Sequence, residues 1–423
     1  MSSYIKIYKK NSSSLYGSIS ITGSKSISNR LLILKAIYKD DIHIENISNC
    51  EDTEVLKKSL ISPSNILDIH HSGTAMRFLT SYFSIQEGKK VILTGSDRMK
   101  ERPIFLLVEA LKKLGSKIDY LKKVGFPPIQ IFGKKILGGE IDMNAEVSSQ
   151  YISSLMLIAS QFEMGLKIFL KGNITSIPYI KMTFDLLTLA GIKVDWKERI
   201  IHIYPVKNRG KKYFSVESDW SSASYYYSMA SIAKKSHIIL RSYSNDSLQG
   251  DQKVSYIYDK YFGISTVFDK DKNIITLNKK LNFFLPKFIE LDLNKTPDLA
   301  QTIVVTCAAL GIKCSLKGLE TLKIKETDRL EALKEELLKF GVRTKITDSC
   351  IEITDLYRKK IDSFIRIKTY QDHRMAMSFS TFGLCFDFLQ IDNPNVVEKS
   401  YPNFWKDLEY LGFLIDSYDY DEE

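Results

Sequence analysis

"LEALKEELLKFGVRTKI", residues 330–346, reads as an amphipathic helix that stops at Gly341 and passes into a β-like run. The same sentence recurs along the chain. "LVEALKKLGSKIDY" (107–120) stops at Gly115, "FDLLTLAGIKVDW" (184–196) at Gly191, "SYIYDKYFGISTVF" (255–268) at Gly263 and "FWKDLEYLGFLIDSY" (404–418) at Gly412. A glycine in this place suits the left-handed residue that closes a helix. Successive stops lie about 70–80 residues apart, a long period for a repeat. Each period also holds an oilier helix with a small, polar or charged start. The six are "GSKSISNRLLILKAI" (23–37), "SGTAMRFLTSYFSI" (72–85), "SSQYISSLMLIAS" (148–160), "SDWSSASYYYSMASIA" (218–233), "TPDLAQTIVVTCAAL" (296–310) and "DHRMAMSFSTFGLCF" (372–386). Apolar residues on nearly every side mark a buried helix. The "KK" and "EE" faces of the others mark outer ones. With "VILTG", "LKIFLKG", "HIIL" and "CSLKG" as strands between them, the chain reads as about six αβ units, three per domain.

The first unit is short: "NCEDTEVLKKSLI" runs into "HHSGTAMR" without a closing glycine or room for a strand pair. No Pro/Gly/Ser-rich linker divides the chain. An even split falls near Asp219, with "NRGKKYF" (208–214) as the expected crossing, so the expected domains are 21–219 and 1–20 with 220–423.

Composition narrows the function. Of the 423 residues, 44% are hydrophobic and 26% charged, as in a globular protein. No run of 18 uncharged apolar residues occurs and the N-terminus lacks a secretory pattern, so a cytosolic protein without a membrane span is expected. Five scattered cysteines argue against a disulfide framework, and six dispersed histidines against a structural metal. The net charge of +10 admits nucleic acid or anionic small molecules as partners, but lysine is spread evenly rather than gathered in a basic tract.

The position of individual cations is more informative. A helix start already carries partial positive charge, so a cation there is unfavourable unless an anion binds. Lys25, Arg77 and Arg374 fall in the first turns of oily helices. A phosphate or carboxylate would satisfy helix and side chain together. The bland alternative is that they reach solvent or pair with Asp and Glu. Further polar clusters sit at unit joints: "GSDRMKERPI" (95–104) with Arg98, Lys100, Arg102 and Pro103 suited to a first helical turn, "IKETDRL" (324–330) with Lys325, Glu326 and Arg329, and "VEKSYPNFW" (397–405) with Lys399. Glu326 and Asp328 also suit a helix N-terminus.

Together "GSKSISNR", "SGTAMR", "RMKERPI", "SSQYISSL", "SIPYI", "VESDWSSASY", "PDLAQT", "KETDRL", "DHRMAM" and "KSYPNF" occur in the order that resembles the 5-enolpyruvylshikimate-3-phosphate (EPSP) synthase family, over nearly the whole chain. The resemblance implies an α/β fold of two similar domains, each of three βαβαββ units in an inside-out barrel-like arrangement, with the active site in the interdomain cleft. It implies a monomer without cofactor or metal. It implies transfer of the enolpyruvyl group of phosphoenolpyruvate to the 5-hydroxyl of shikimate 3-phosphate, with release of phosphate through a tetrahedral intermediate. Motif by motif, it assigns Lys25, Ser26, Arg30, Ser148, Ser149, Gln150, Ser176 and Tyr179 to shikimate 3-phosphate, with Asp298, Thr321 and Lys325. It assigns Gly73, Arg102, Arg329, Arg374 and Lys399 to phosphoenolpyruvate, shared with Lys25 and Gln150. Asp298 is the candidate base and Glu326 the candidate proton donor, beside Lys25; spacing does not decide which group takes which proton. Ser148 and Ser149 could equally cap a helix, Gly73 allow close packing, and Tyr179 line the core.

Three departures stand out. Phe78 replaces the family's proline, His71 an Asn or Asp, and Thr321 an Asn found in some members. Rival readings are the sister enzyme acting on UDP-N-acetylglucosamine, a nucleic-acid-binding module and an inactive relative. The first would put a cysteine in "DRMKERP" and Asn after Lys25, where Ser26 stands. The second would show one basic tract, and the third would have lost Lys25, Asp298 or Glu326.

Overall fold

The computed structural model describes residues 3–9, 14–146, 148–206, 210–357, 364–386 and 389–419. The chain divides into two compact units: Gly23–Val216, and Met1–Thr22 together with Glu217–Glu423.

In the first unit one repeat shows the plan. Strand Gly139–Asn144 is followed by helix Ser149–Ala159, strand Leu166–Lys171, helix Ile177–Leu189 and the hairpin Val194–Lys197/Ile200–Ile203. The two long strands run parallel, with Ile141 opposite Ile168, and the hairpin adds antiparallel, with Ile201 opposite Ile168. A parallel pair requires a crossover, and the oily helix provides it. Leu166, Ile168 and Leu170 alternate inward along their strand. The repeat of strand Ile66–Asp68, helix Gly73–Ser84, strand Lys90–Thr94, helix Phe105–Lys113 and hairpin Lys117–Tyr120/Ile129–Phe132 has the same strand order. The remaining one is abbreviated: helix Lys25–Tyr38, strand Ile42–Glu45 and helix Glu51–Ile61 lack the closing hairpin. A two-stranded sheet results, because Lys212–Ser215 comes back to pair parallel with Ile42–Glu45. The end of "NRGKKYF" is thus strand rather than crossing; residues 207–209 lie outside the described residues.

The second unit repeats the four-stranded plan three times. Its first sheet joins Ser14–Ile19, in parallel, to Lys235–Arg241 across more than 200 residues of intervening chain. Its last sheet seats the N-terminal strand Ser3–Tyr8 between Leu389–Asp392 and Leu414–Asp419, with Ile5 opposite Ile391 and Ile7 opposite Ile415. The glycine stops behave as expected: Gly115, Gly191, Gly263, Gly341 and Gly412 all have φ between 69° and 102°, and each precedes a strand. The oily helices are buried almost throughout, as with Trp220–Ser231 of helix Trp220–Ile232. The architecture is the six-unit α/β arrangement that the periodic glycines announce, three units to each half. Among the described residues no helix is long and apolar enough to cross a membrane.

Candidate active site

The N-termini of the oily helices gather the cations, in one cluster per unit. In Gly23–Val216, Lys25 opens its helix behind the Ser24 cap, and its Nζ lies 3.1 Å from Asp52 Oδ2. Arg30, one turn on, is buried. Its Nε donates to Thr183 Oγ1 (2.7 Å), Nη1 to the Ser26 carbonyl (2.9 Å), and Nη2 to Ser153 Oγ and the Tyr179 carbonyl (both 3.2 Å). Burial pushes its pKa down to about 10, against which Tyr179 acts.

Gly73 begins its helix after the Ser72 cap, and two guanidiniums close over it. A Cβ built there would stand 2.7 Å from Arg102 Nη1 and 2.8 Å from Arg77 Nη1. Arg77 bonds back to the Gly73 carbonyl (3.0 Å) and to the Pro103 carbonyl (3.2 Å), while its buried Nε has no hydrogen-bond partner. Pro103 stands outside the first turn expected for it, since the helix opens at Phe105; its carbonyl instead anchors Arg77 and the Tyr151 hydroxyl (2.5 Å). A helix start with two forked cations over a bare Cα has the charge and the donors to receive a phosphate or carboxylate.

Ser148 caps helix Ser149–Ala159 by accepting from the Gln150 amide (3.2 Å), and Gln150 Nε2 reaches Thr74 Oγ1 (3.1 Å). That contact ties the Ser149 and Gly73 helix starts together. Ser176 holds a left-handed backbone, φ 54°, ahead of helix Ile177–Leu189. For a non-glycine residue this is sparsely populated and persists only where the surroundings fix it.

In the second unit Asp298 is the hub. Its Oδ1 lies 3.1 Å from Arg329 Nη1 and 3.7 Å from Lys325 Nζ, and its Oδ2 2.9 Å from Arg374 Nη2. Glu326 meets Arg329 Nη2 (3.0 Å) and Lys399 Nζ (3.7 Å). Arg329, 2% exposed, also donates from Nε to Asp372 Oδ2 (2.7 Å), which is 0% exposed. Burial works against the Arg329 charge, but Asp372, Glu326 and Asp298 outweigh it and raise its pKa. Thr321 stands nearby in sequence, in the short turn Glu320–Ile324.

Sequence reading therefore names the cations together with Asp298 and Glu326, and leaves Asp52 and Asp372 unnamed. Two of the three helix-start cations have acids, Asp52 for Lys25 and Asp298 for Arg374, while Arg77 binds carbonyls. Asp372 also caps helix His373–Ser380, where it accepts from the Arg374 amide at 2.8 Å. Asp251 carried no signal in sequence. It is buried, accepts from Ser221 Oγ, and has an Oδ1 with no hydrogen-bond partner.

Burial, and then the negative charge of Asp298, push the Asp251 carboxyl up to about 7. Its unfolded value is about 3.9. Between those values the native state holds a proton that the unfolded chain releases. Asp251 therefore favours folding at low pH and gives this up as pH rises towards 7, by about 1.4 kcal/mol per pH unit at most. Asp251→Asn, which still accepts from Ser221, removes that slope: its denaturant midpoint should exceed the parent's at pH 8 and match it at pH 4.

Comparison with known proteins adds to this geometry. The family model described as EPSP synthase (3-phosphoshikimate 1-carboxyvinyltransferase) matches residues 9–60 and 54–408. A relative from Bacteroides fragilis (strain YCH46), named 3-phosphoshikimate 1-carboxyvinyltransferase, is 41% identical over 404 residues, 95% of this chain and 97% of its own length. One of the same name from Buchnera aphidicola subsp. Cinara cedri (strain Cc) is 34% identical over 422 residues, 93% of this chain and 94% of its own. Among solved structures, an EPSP synthase from Acinetobacter baumannii matches with a TM-score of 0.75 and 20% identity, over 99% of this chain and 100% of the other. At that identity the structural likeness speaks for the fold alone.

Proposed function

This chain belongs to the EPSP synthase (3-phosphoshikimate 1-carboxyvinyltransferase) family, and on that premise we propose how its two cation clusters carry the enolpyruvyl transfer from phosphoenolpyruvate to shikimate 3-phosphate. The observation that carries this reading is the Gly73 helix start, where Arg77 and Arg102 converge on a position without a side chain.

Phosphoenolpyruvate brings a phosphate and a carboxylate. Arg102 and the helix start at Gly73, and Arg329, Arg374 and Lys399, are assigned to these anions, with Lys25 and Gln150 shared between the two substrates. Shikimate 3-phosphate is held by Ser26, Arg30, Ser148, Ser149, Ser176 and Tyr179. Asp298, Thr321 and Lys325 address its hydroxyls. The acceptor's 5-oxygen adds to C2 of phosphoenolpyruvate while Asp298 takes the hydroxyl proton and Glu326 delivers one to C3, which becomes a methyl group. Glu326, now deprotonated, takes a proton back from that methyl carbon as the C2–O bond to phosphate breaks, which re-forms the C2–C3 double bond as an enol ether and releases phosphate. Positioned acids and bases of this kind contribute about 10²–10⁴-fold.

The cations that bracket Asp298 and Glu326 are the ones assigned to the anionic substrate. As substrate draws Arg374, Arg329 and Lys399 towards itself, the carboxylates lose countercharge and bind protons more readily. Substrate binding in this way prepares the proton transfers. The family resemblance supports a monomer in the cytosol as the working form.

The test is phosphate release from phosphoenolpyruvate with shikimate 3-phosphate, run beside UDP-N-acetylglucosamine as the competing acceptor. Release with the shikimate compound alone is expected; release only with the sugar nucleotide would overturn the reading. In the same assay Gly73→Ala puts a methyl group among guanidinium tips that can swing aside, so the melting temperature should hold. The displaced cations lose charge-assisted hydrogen bonds worth about 1.5–3 kcal/mol. KM for phosphoenolpyruvate should therefore rise about 10- to 100-fold, with KM for shikimate 3-phosphate little changed.

A further inference from the structure

Arg30 and Arg329 are both buried arginines in the candidate site, and they keep opposite company. Arg329 is surrounded by three carboxylates. The hydrogen bonds of Arg30 all end on neutral oxygens: the hydroxyls of Thr183 and Ser153 and the carbonyls of Ser26 and Tyr179. The guanidinium lies over the ring of Phe78, with Cζ 5.5 Å from the ring centroid. Phe78 is 1% exposed and sits in helix Gly73–Ser84, one position after Arg77.

An aromatic face attracts a cation through its quadrupole, and the attraction grows when both groups are out of water. It does so without supplying a negative charge. A carboxylate in the same place would hold Arg30 more strongly and would also cancel it. We infer that Phe78 is a positioning residue for shikimate 3-phosphate, keeping Arg30 buried, oriented and charged yet uncompensated, so that its charge is left for the anionic substrate. The inference rests on the reading of Arg30 as a ligand of that substrate. Phe78 also links the two substrate sites, because the helix that carries it begins at Gly73.

Two variants and a fluorination series test it, all in the full-length protein. Arg30→Met comes first: KM for shikimate 3-phosphate should rise at least about tenfold, the loss of one charge-assisted contact. If it does not, the assignment of Arg30 fails and the inference with it. Phe78→Leu keeps an apolar side chain but removes the quadrupole, and should raise the same KM about 3- to 10-fold while KM for phosphoenolpyruvate stays within about twofold. Packing alone could produce part of that change. The deciding series installs mono-, di- and trifluorinated phenylalanine at position 78 by stop-codon suppression, which drains the π-face while nearly preserving shape. A stepwise rise in KM for shikimate 3-phosphate with each fluorine, at constant melting temperature, supports the inference. A flat series, with Arg30→Met still impaired, overturns it and leaves the assignment of Arg30 standing.

Discussion

Arg329→Met is expected to lower folding stability by about 3–5 kcal/mol, the penalty for leaving buried charges without their partner. The reason is the company Arg329 keeps. Asp372 is fully buried, and Asp298 and Glu326 are nearly so; one guanidinium holds all three through Nε, Nη1 and Nη2. Remove it and three carboxylates lose the cation they share, while Lys325 and Arg374 still meet Asp298 and Lys399 meets Glu326. Urea midpoints would report the loss directly. Arg329→Lys should recover little, because an ammonium is a single point and cannot fork to three acceptors. If Arg329→Met melts with the parent, the cluster is not the structural hub described here. Phosphate release should fall below detection in any variant that remains folded, since the same side chain is assigned to substrate.

Lys25→Met is the second large effect. The catalytic loss should reach about 10²–10³-fold in kcat/KM, about 3–4 kcal/mol, within the roughly 2–5 kcal/mol typical of truncating one partner of a hydrogen-bonded charge pair. A structural component is expected too, because Asp52, 6% exposed, loses the ammonium 3.1 Å away. The double variant Lys25→Met/Asp52→Asn separates the two effects: it should regain most of the stability and none of the activity. Recovery of activity in the double variant would show that Lys25 serves only to neutralise Asp52.

The parts of this molecule that were legible in sequence are those governed by local rules. Gly341 and its four counterparts end helices because a left-handed residue is needed there, and that need is visible in one turn of chain. Lys25, Gly73, Ser148 and Arg374 could be placed at helix starts for the same reason. Pairing over distance was not legible. Nothing around Ser14–Ile19 says that its neighbour is Lys235–Arg241. Nor does "EDTE" at 51–54 say that Asp52, rather than Glu51 or Glu54, turns towards Lys25. Asp372, at the head of "DHRMAM", is not singled out in sequence at all; it both caps its helix and pairs with Arg329, a residue 43 positions away. Arg77 read as a first-turn cation, yet its guanidinium folds back onto backbone carbonyls.

The seating of Ser3–Tyr8 between Leu389–Asp392 and Leu414–Asp419 sets a timetable for synthesis. The unit Gly23–Val216 is complete once the ribosome has passed Val216, but Ser3–Tyr8 must wait for Leu389–Asp392 and Leu414–Asp419. At about 5–20 residues per second the nascent chain carries that strand unpaired for roughly 20–80 s. Through that interval Ile5 and Ile7 stay unpaired as a short apolar ribbon, for its later part after all of Gly23–Val216 has been made. The second unit can close this sheet only after Asp419 has been made, so Ser3–Tyr8 docks late and locks together strands drawn from opposite ends of the sequence order.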